Sequence, residues 1–305
     1  MCDVIRGVLP VAPTVFHPNE EVDLAGQRRV VDFVVDTGSD GICLLANFSE
    51  QFSLTDGERR AVLEASVDQA AGRIPVVVTT SHYSARVAAA RSKQAQDLGA
   101  QMVMLMPPFF GATLSVRPDD VRTFFHTVAK SVDIPIMIQD APMSSTALSV
   151  RQLADLAREI PHVQYVKIET ARAADKIRAL GEAAGTDLPG LYDGEEGVTL
   201  IPDLDAGAQG SMTSCLVPDV LGAVVRDHLA GDRASAVARW EDVLPLVHFE
   251  NRQCGLLASK VLLEEGGVIG SATTRAPLGP LGDESREHLR ELARRRDLLI
   301  LRWAT

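Results

Sequence analysis

The sequence lacks the features of a metal site or a disulfide scaffold. Its four cysteines, Cys2, Cys43, Cys215 and Cys254, lie far apart, with no C-x-x-C pair and no histidine at metal-ligand spacing. We interpret them as small core residues or free thiols. The acidic motif Asp193-Gly194-Glu195-Glu196 could bind a divalent ion, but no further ligand lies nearby and a solvated loop is favoured. We therefore expect no metal and no cofactor.

Long apolar runs and an excess of basic charge are also missing. No segment approaches the about 20 apolar residues that span a bilayer, and residues 1–6 do not begin a secretion signal. The 30 Lys and Arg against 41 Asp and Glu give a net charge of −11, which disfavours binding to a nucleic-acid backbone. P-loop, dinucleotide-binding and G-x-S-x-G motifs are absent. We expect a cytoplasmic enzyme with neither a membrane nor a nucleic acid as partner.

Short β-rich segments alternate with longer amphipathic segments along the first 217 residues. Eight segments have the pattern of strands, and several are almost wholly apolar, as strands covered on both faces are. They lie at 7–14, 41–45, 75–80, 102–106, 135–139, 163–168, 190–192 and 210–213, with helical segments at 23–37, 55–71, 84–98, 118–131, 149–160 and 173–184. Eight strand-then-helix units predict an α/β fold, a (β/α)8 TIM barrel whose active site lies at the carboxyl ends of the strands.

Helical patterns alone follow residue 217, at 220–230, 234–250, 256–265 and 284–301. We therefore predict a barrel catalytic domain over 1–217 and a C-terminal helical segment over 218–305 that packs on it. Capping boxes that begin at Thr55 and Ser149 support the predicted helix starts. Gly38 and Gly99 stand where two helices should end.

Lys167 follows an apolar strand and is the first candidate for chemistry. A lysine in a barrel mouth loses part of its solvation, which lowers its pKa and makes the neutral amine available to attack a ketone and form a Schiff base. If the strand continues as far as Glu169, the alternation of strand side chains places this carboxylate on the same face, where it could shuttle protons. The alternative is a solvated lysine that Glu169 merely neutralises, and the periodicity leaves both open.

Polar and small residues at other strand ends are candidates for substrate binding. Consecutive amides in the loop that holds Asn47, Phe48 and Ser49 could cradle a carboxylate, although an ordinary turn between strand and helix has the same pattern. A lone histidine such as His82 is more often structural than catalytic. The remaining candidates at strand ends are Gln139, Gly194, Ser211 and Met212.

Over essentially its whole length the chain resembles the dihydrodipicolinate synthase and N-acetylneuraminate lyase superfamily of class I Schiff-base aldolases and dehydratases. The superfamily's Schiff-base lysine matches Lys167. Its carboxylate-binding loop, usually Gly-Thr-Thr-Gly-Glu, matches Ala46-Asn47-Phe48-Ser49-Glu50, in which only the glutamate is the same. The resemblance implies a (β/α)8 barrel with a C-terminal helical extension, and a homo-oligomer, either a tetramer or a dimer.

Three departures from the superfamily pattern concern residues of its active site. Gln139 stands in place of the catalytic tyrosine, Phe110 in place of a second tyrosine, and Ser144 where dihydrodipicolinate synthases have an arginine. The chain therefore looks unlike a true dihydrodipicolinate synthase. As a set, its motifs resemble those of the branch that dehydrates 2-keto-3-deoxy sugar acids: they are Leu45-Ala46-Asn47-Phe48-Ser49-Glu50-Gln51-Phe52, Thr79-Thr80-Ser81-His82, Ile138-Gln139-Asp140-Ala141-Pro142, Val166-Lys167-Ile168-Glu169-Thr170 and Asp193-Gly194-Glu195-Glu196.

This resemblance implies a hydro-lyase that converts L-2-keto-3-deoxyarabonate to 2-oxoglutarate semialdehyde through an iminium on Lys167. An aldolase needs a base at the C4 hydroxyl, whereas a dehydratase needs a base at C3 and then an acid at the departing hydroxyl. Gln139 cannot titrate, so our hypothesis gives both tasks to Glu169. An aldolase of the same superfamily, a non-catalytic protein that binds sugar acids, and an enzyme acting on another 2-keto acid remain alternatives.

Overall fold

The alternation of strands and helices predicted from the sequence is confirmed in the computed structural model, which describes residues 4–108, 116–142, 144 and 146–304. Each predicted strand has a counterpart. The strands are β1 Gly7–Val8, β2 Ile42–Leu44, β3 Val76–Thr79, β4 Met102–Leu105, β5 Ile136–Asp140, β6 Val163–Ile168, β7 Gly190–Asp193 and β8 Gly210–Ser211. The prediction for Phe110 lies outside the described residues.

The predicted helices are present in both the strand-containing part and the C-terminal part of the chain. The α-helices of the described residues, which include one that was not predicted, are α1 Leu24–Asp36, α2 Asp56–Ala70, α3 Ala85–Asp97, α4 Pro118–Ala129, α5 Val150–Glu159, α6 Ala173–Ala184, α7 Leu200–Asp205, α8 Pro218–Leu229, α9 Arg233–Phe249, α10 Leu257–Glu265, α11 Asp283–Arg294 and α12 Leu299–Arg302. None of the helices in the described part of the chain is long and apolar enough to cross a membrane.

Three elements differ from the sequence prediction by more than two residues. Strand β1 ends at Val8 instead of Thr14, because Pro10 and Pro13 cannot donate to a ladder. The short helix α7 was not predicted, since six residues are too few to show helical periodicity. The predicted helix 284–301 is two helices, because Leu298 between them has extended backbone.

The helix-capping predictions are confirmed. The side chains of Thr55 and Ser149 each accept a hydrogen bond from the backbone amide three residues on. The side chains of Glu58 and Gln152 in turn accept one from the backbone amides of Thr55 and Ser149. Gly38 and Gly99 follow α1 and α3 with φ values of 69° and 104°, a conformation that glycine adopts without strain. The local sequence therefore determines these helix ends.

The chain divides into two compact units, and the first comprises residues 4–6, 76–195 and 199–211. It contains β3 to β8, which pair in parallel with each strand beside its chain neighbours. In this register Gln139 of β5 lies opposite Lys167 of β6, and Ile168 lies opposite Asp193 of β7. The carboxyl ends of β5, β6 and β7 therefore bring their last side chains together.

The second unit comprises residues 7–75, 196–198 and 212–304, with β1, β2, α1, α2 and the C-terminal helices. Val11 forms isolated parallel bridges with Cys43 and with Ser214. The N-terminal and C-terminal parts of the chain are thus joined in one compact body.

A fully buried ion pair ties α10 to the loop after β2 within the second unit. Lys260 Nζ donates to Glu50 Oε1 and to the carbonyl of Thr273, the latter at 2.8 Å, and both charged side chains are 0% exposed. The Arg275 amide donates to the other Glu50 oxygen at 3.1 Å. Nζ also lies 4.5 Å from the centre of the Phe16 ring. Burial lowers the pKa of Lys260 and the Glu50 carboxylate opposes that effect.

We expect Lys260→Met to destabilise the protein strongly, because it leaves the buried Glu50 charge without its ion-pair partner. The expected loss is about 3 to 5 kcal/mol in the free energy of unfolding, measured by urea denaturation. A matched control is Lys93→Met, which removes a pair with Asp97 whose side chains are about half exposed and should cost at most about 1 kcal/mol. Equal effects of the two substitutions would contradict the assignment.

Candidate active site

Lys167, Glu169 and Gln139 form a hydrogen-bonded cluster at the ends of β5 and β6. Lys167 Nζ lies 2.5 Å from Glu169 Oε1, and Gln139 Nε2 donates to the same oxygen at 2.8 Å. The side chains of Lys167 and Glu169 are 6% and 15% exposed. Because little water screens this pair, its attraction is stronger than that of a surface pair. Strand β6 ends at Ile168, one residue short of Glu169, but the Glu169 amide still donates to the Asp140 carbonyl at 3.1 Å, and the expected contact is present. A solvated lysine does not fit a side chain that is 6% exposed.

The sequence could not show that Gln139 orients Glu169. Its amide occupies one carboxylate oxygen, while its own Oε1 is buried and has no hydrogen-bond donor among the residues that the structure describes. A side-chain amide does not ionise near neutral pH, so Gln139 can orient Glu169 and accept a hydrogen bond but cannot act as an acid or a base.

Gly194, directly after β7, lies against the lysine and glutamate. A Cβ built on Gly194 would lie 2.5 Å from Cγ of Glu169 and 2.9 Å from Cγ of Lys167. Both distances are shorter than carbon atoms tolerate, so glycine is required by close approach. The backbone of the predicted candidate Gly194 thus lies against the side chains of Lys167 and Glu169.

A second lysine supports the same strand end and was missed by the sequence analysis. Lys176 of α6 donates to Asp140 Oδ2 at 2.5 Å and to the Leu148 carbonyl at 2.8 Å. Asp140 also receives the Thr170 hydroxyl at 3.3 Å. This network holds α6 and the segment after β6 to the end of β5, next to Gln139.

His82 and Ser211, two further predicted candidates, have partners in the first unit. His82 Nδ1 accepts the Ser84 amide at 2.9 Å, which is a turn contact before α3. Ser211 Oγ donates to Asp193 Oδ2 at 2.5 Å. Neither contact is made to Lys167 or Glu169.

The predicted carboxylate loop and Met212 belong to the second unit. Residues Asn47–Ser49 form a single 3-10 turn, in which Ser49 Oγ donates to the Ala12 carbonyl at 2.6 Å. Asn47 Oδ1 accepts from Gln51 at 2.6 Å, Phe48 is half-buried, and Met212 is fully buried. Ser49 Oγ and Asn47 Oδ1 thus stabilise the loop itself. Substrate binding by these four residues stays a prediction.

No group of three or more His, Cys, Asp or Glu side chains in the described segments has an arrangement that could hold a metal ion.

Comparison with known proteins places this geometry in context. The chain matches the Dihydrodipicolinate synthetase family over residues 4–296. It is 50% identical over 299 residues to a protein named L-2-keto-3-deoxyarabonate dehydratase from Azospirillum brasilense, covering 98% of this chain and 97% of that protein. It is 29% identical to a 4-hydroxy-tetrahydrodipicolinate synthase from Salinibacter ruber, covering 97% of each chain.

Solved structures of dihydrodipicolinate synthases have the same fold. The enzyme from Rhodopseudomonas palustris superposes with a TM-score of 0.87 at 27% identity, covering 95% of this chain and 97% of that one. The enzyme from Aquifex aeolicus gives 0.90 at 25% identity, covering 96% and 98%.

We expect Gly194→Ala to displace Lys167 and Glu169 and so to slow attack by the amine at least about tenfold, or about 1.4 kcal/mol in barrier. The measurement is the rate at which borohydride traps pyruvate on the protein, followed by intact mass. Gly181→Ala is the matched control, because a Cβ there meets only Leu191 at an ordinary 3.5 Å. Trapping by Gly194→Ala at the rate of the control would show that the close approach is unimportant.

Proposed function

We propose, since this chain belongs to the dihydrodipicolinate synthetase family, that it is a class I Schiff-base lyase that dehydrates a 2-keto-3-deoxy sugar acid. The substrate we infer is L-2-keto-3-deoxyarabonate and the product is 2-oxoglutarate semialdehyde. The inference of substrate rests on the relative from Azospirillum brasilense, which shares half of its residues with this chain.

The observation that carries the proposal is the buried amine of Lys167 held against one carboxylate oxygen. Lys167 Nζ, once it has passed its proton to a neighbouring group, attacks the C2 carbonyl of the substrate. The carbinolamine then loses water and becomes an iminium. The positive nitrogen draws electrons from C2 and thereby acidifies the protons on C3.

Glu169 is suited to both proton transfers that follow. Its Oε1 lies 2.5 Å from Nζ, so a carboxylate stands within reach of the carbon two bonds from the iminium nitrogen. Glu169 takes a C3 proton and returns it to the C4 hydroxyl, which departs as water and leaves a C3–C4 double bond. Loss of a C5 proton and return of a proton to C3 then move the double bond to C4–C5, and the resulting enol becomes the C5 aldehyde. Hydrolysis of the iminium releases the semialdehyde and regenerates the amine. One base that becomes an acid thus accounts for the elimination.

Gln139 favours dehydration over aldol cleavage in this scheme. Cleavage of the C3–C4 bond requires removal of the C4 hydroxyl proton, and an amide cannot remove it. Gln139 instead fixes Glu169 through its Nε2, at 2.8 Å, and offers a buried Oε1 as an acceptor.

The remaining predicted features are part of the same proposal. The backbone of the Asn47–Ser49 loop binds the C1 carboxylate, and His82, Ser211 and Met212 complete the substrate site. The barrel closes as a (β/α)8 barrel over 1–217 with the helical segment 218–305 on it. The enzyme is a cytoplasmic homo-oligomer that requires no cofactor.

Product analysis tests the reaction. We expect NMR of the protein incubated with 2-keto-3-deoxy-L-arabonate to show 2-oxoglutarate semialdehyde, and Lys167→Met to abolish both this product and borohydride trapping. Lys93→Met, on an exposed surface pair, should behave like wild type. Pyruvate with glycolaldehyde would identify an aldolase. Binding of the sugar acid without any turnover would identify a binding protein.

Glu169→Gln tests the assignment of the base. The substitution preserves the shape of the side chain and removes its proton transfer, which is worth about 10² to 10⁴-fold in rate. We therefore expect turnover to fall by that factor while borohydride still traps the substrate on Lys167. Glu182→Gln on exposed surface of α6 is the control. Near-normal turnover by Glu169→Gln would remove Glu169 from the mechanism.

A further inference from the structure

Two buried carboxyl groups meet directly behind the end of β7. Asp193 ends the strand and Asp203 lies on α7, and both residues are 0% exposed. Asp193 accepts hydrogen bonds from the Ser211 hydroxyl at 2.5 Å and from the Glu195 amide at 3.4 Å. Asp203 Oδ2 accepts from the Thr199 hydroxyl at 2.7 Å. Every one of these donors is neutral, so none of them cancels the charge of the pair.

The side chains of Asp193 and Asp203 are hydrogen-bond partners, and two carboxyl groups can share a hydrogen bond only where one of them carries a proton. Asp203 Oδ1 is buried and has no donor within the described residues. A carboxylic acid proton shared with Asp193 removes this deficit and the repulsion of two like charges. Burial and the neighbouring Asp193 and Glu195 raise the pKa of Asp203 to about 8. Burial also raises the pKa of Asp193, while the Ser211 and Asp203 hydrogen bonds and Lys167 lower it.

The pair is linked to the candidate active site through β7. Asp193 lies opposite Ile168, the residue between Lys167 and Glu169. The next residue, Gly194, packs on both of those side chains. The Asp193 carboxylate that accepts the Glu195 amide therefore shapes the turn that rests on the lysine. Burial raises the pKa of both carboxyl groups, but the hydrogen bond between them raises the pKa of Asp203 and lowers that of Asp193, as Lys167 also does. Asp193 is therefore the anion and Asp203 the acid.

We propose that Asp193 and Asp203 form a positioning pair for the Schiff-base lysine, in which Asp203 donates a hydrogen bond to a single negative charge on Asp193. This inference rests on the proposed function, because the charge stabilises a cationic iminium on Lys167. It also holds the turn at Gly194 in place. Loss of the shared proton puts two charges side by side, and their repulsion disturbs that turn.

The pH profile of kcat separates this role from a merely structural one. We expect wild-type kcat, measured from about pH 6 to about pH 9.5, to decline as the pH rises through about 8, where Asp203 loses its proton. Asp203→Asn, whose amide donates the same hydrogen bond without titrating, loses this decline. Asp193→Asn removes the charge and lowers kcat at least about tenfold throughout. The control is Asp205→Asn, an exposed residue of the same helix, which keeps the wild-type profile.

Stability measured without substrate tests the pair independently of catalysis. Between about pH 4 and pH 8 the folded state keeps a proton on Asp203 that the unfolded chain has released, so this group makes stability fall as the pH rises through that window. Asp203→Asn removes the dependence, and the difference in Tm between Asp203→Asn and wild type therefore increases with pH.

A Tm difference that does not change with pH, or an Asp203→Asn kcat profile that declines as in wild type, overturns the pair. Failure of wild-type protein to trap pyruvate with borohydride overturns the proposed function instead, and leaves the Tm comparison as the test of the shared proton.

Discussion

The ion pair between Lys167 and Glu169 is the interaction on which the arrangement of the site depends. Two charged side chains have been removed from water, and their desolvation is compensated only where partners are placed closely. One oxygen of Glu169 receives both the ammonium of Lys167 and the amide of Gln139. The register of the neighbouring strands β5, β6 and β7 must therefore bring their last residues side by side. Gly194 follows from the same constraint, because any larger residue would push into the pair.

In the proposed reaction, the same pair favours elimination of water over cleavage of a carbon–carbon bond. Both reactions pass through an iminium, and they differ in which proton is removed next. A carboxylate next to the imine nitrogen is close to C3, whereas Gln139 cannot act as a base above C4. The exchange of tyrosine for glutamine thus removes one route, and the contact of Gln139 with Glu169 supports the other.

The sequence predicts what is local and fails where the partners are distant. Period-two alternation places Lys167 and Glu169 on one face, and capping motifs at Thr55 and Ser149 locate helix starts. The pair of Lys260 with Glu50 joins positions 210 residues apart, and no spacing rule connects them. The only indication of this pair in the sequence is Lys260 itself, a single lysine among the mostly apolar residues of helix Leu257–Glu265. Contacts of this kind become visible only when the chain is folded.

The carboxyl pair at Asp193 and Asp203 differs from the buried lysine–carboxylate pairs in a way that bears on its role. Lys260 and Lys176 are each matched by a carboxylate, so their burial is compensated by attraction. Two carboxyls repel unless a proton is kept between them, and keeping it lowers stability wherever the unfolded chain would release it. Apolar side chains would fasten α7 to β7 without this loss, since such replacements are often neutral or stabilising. That the arrangement is present behind Lys167 in spite of this loss supports the proposal that the charge of Asp193 stabilises an iminium on the lysine.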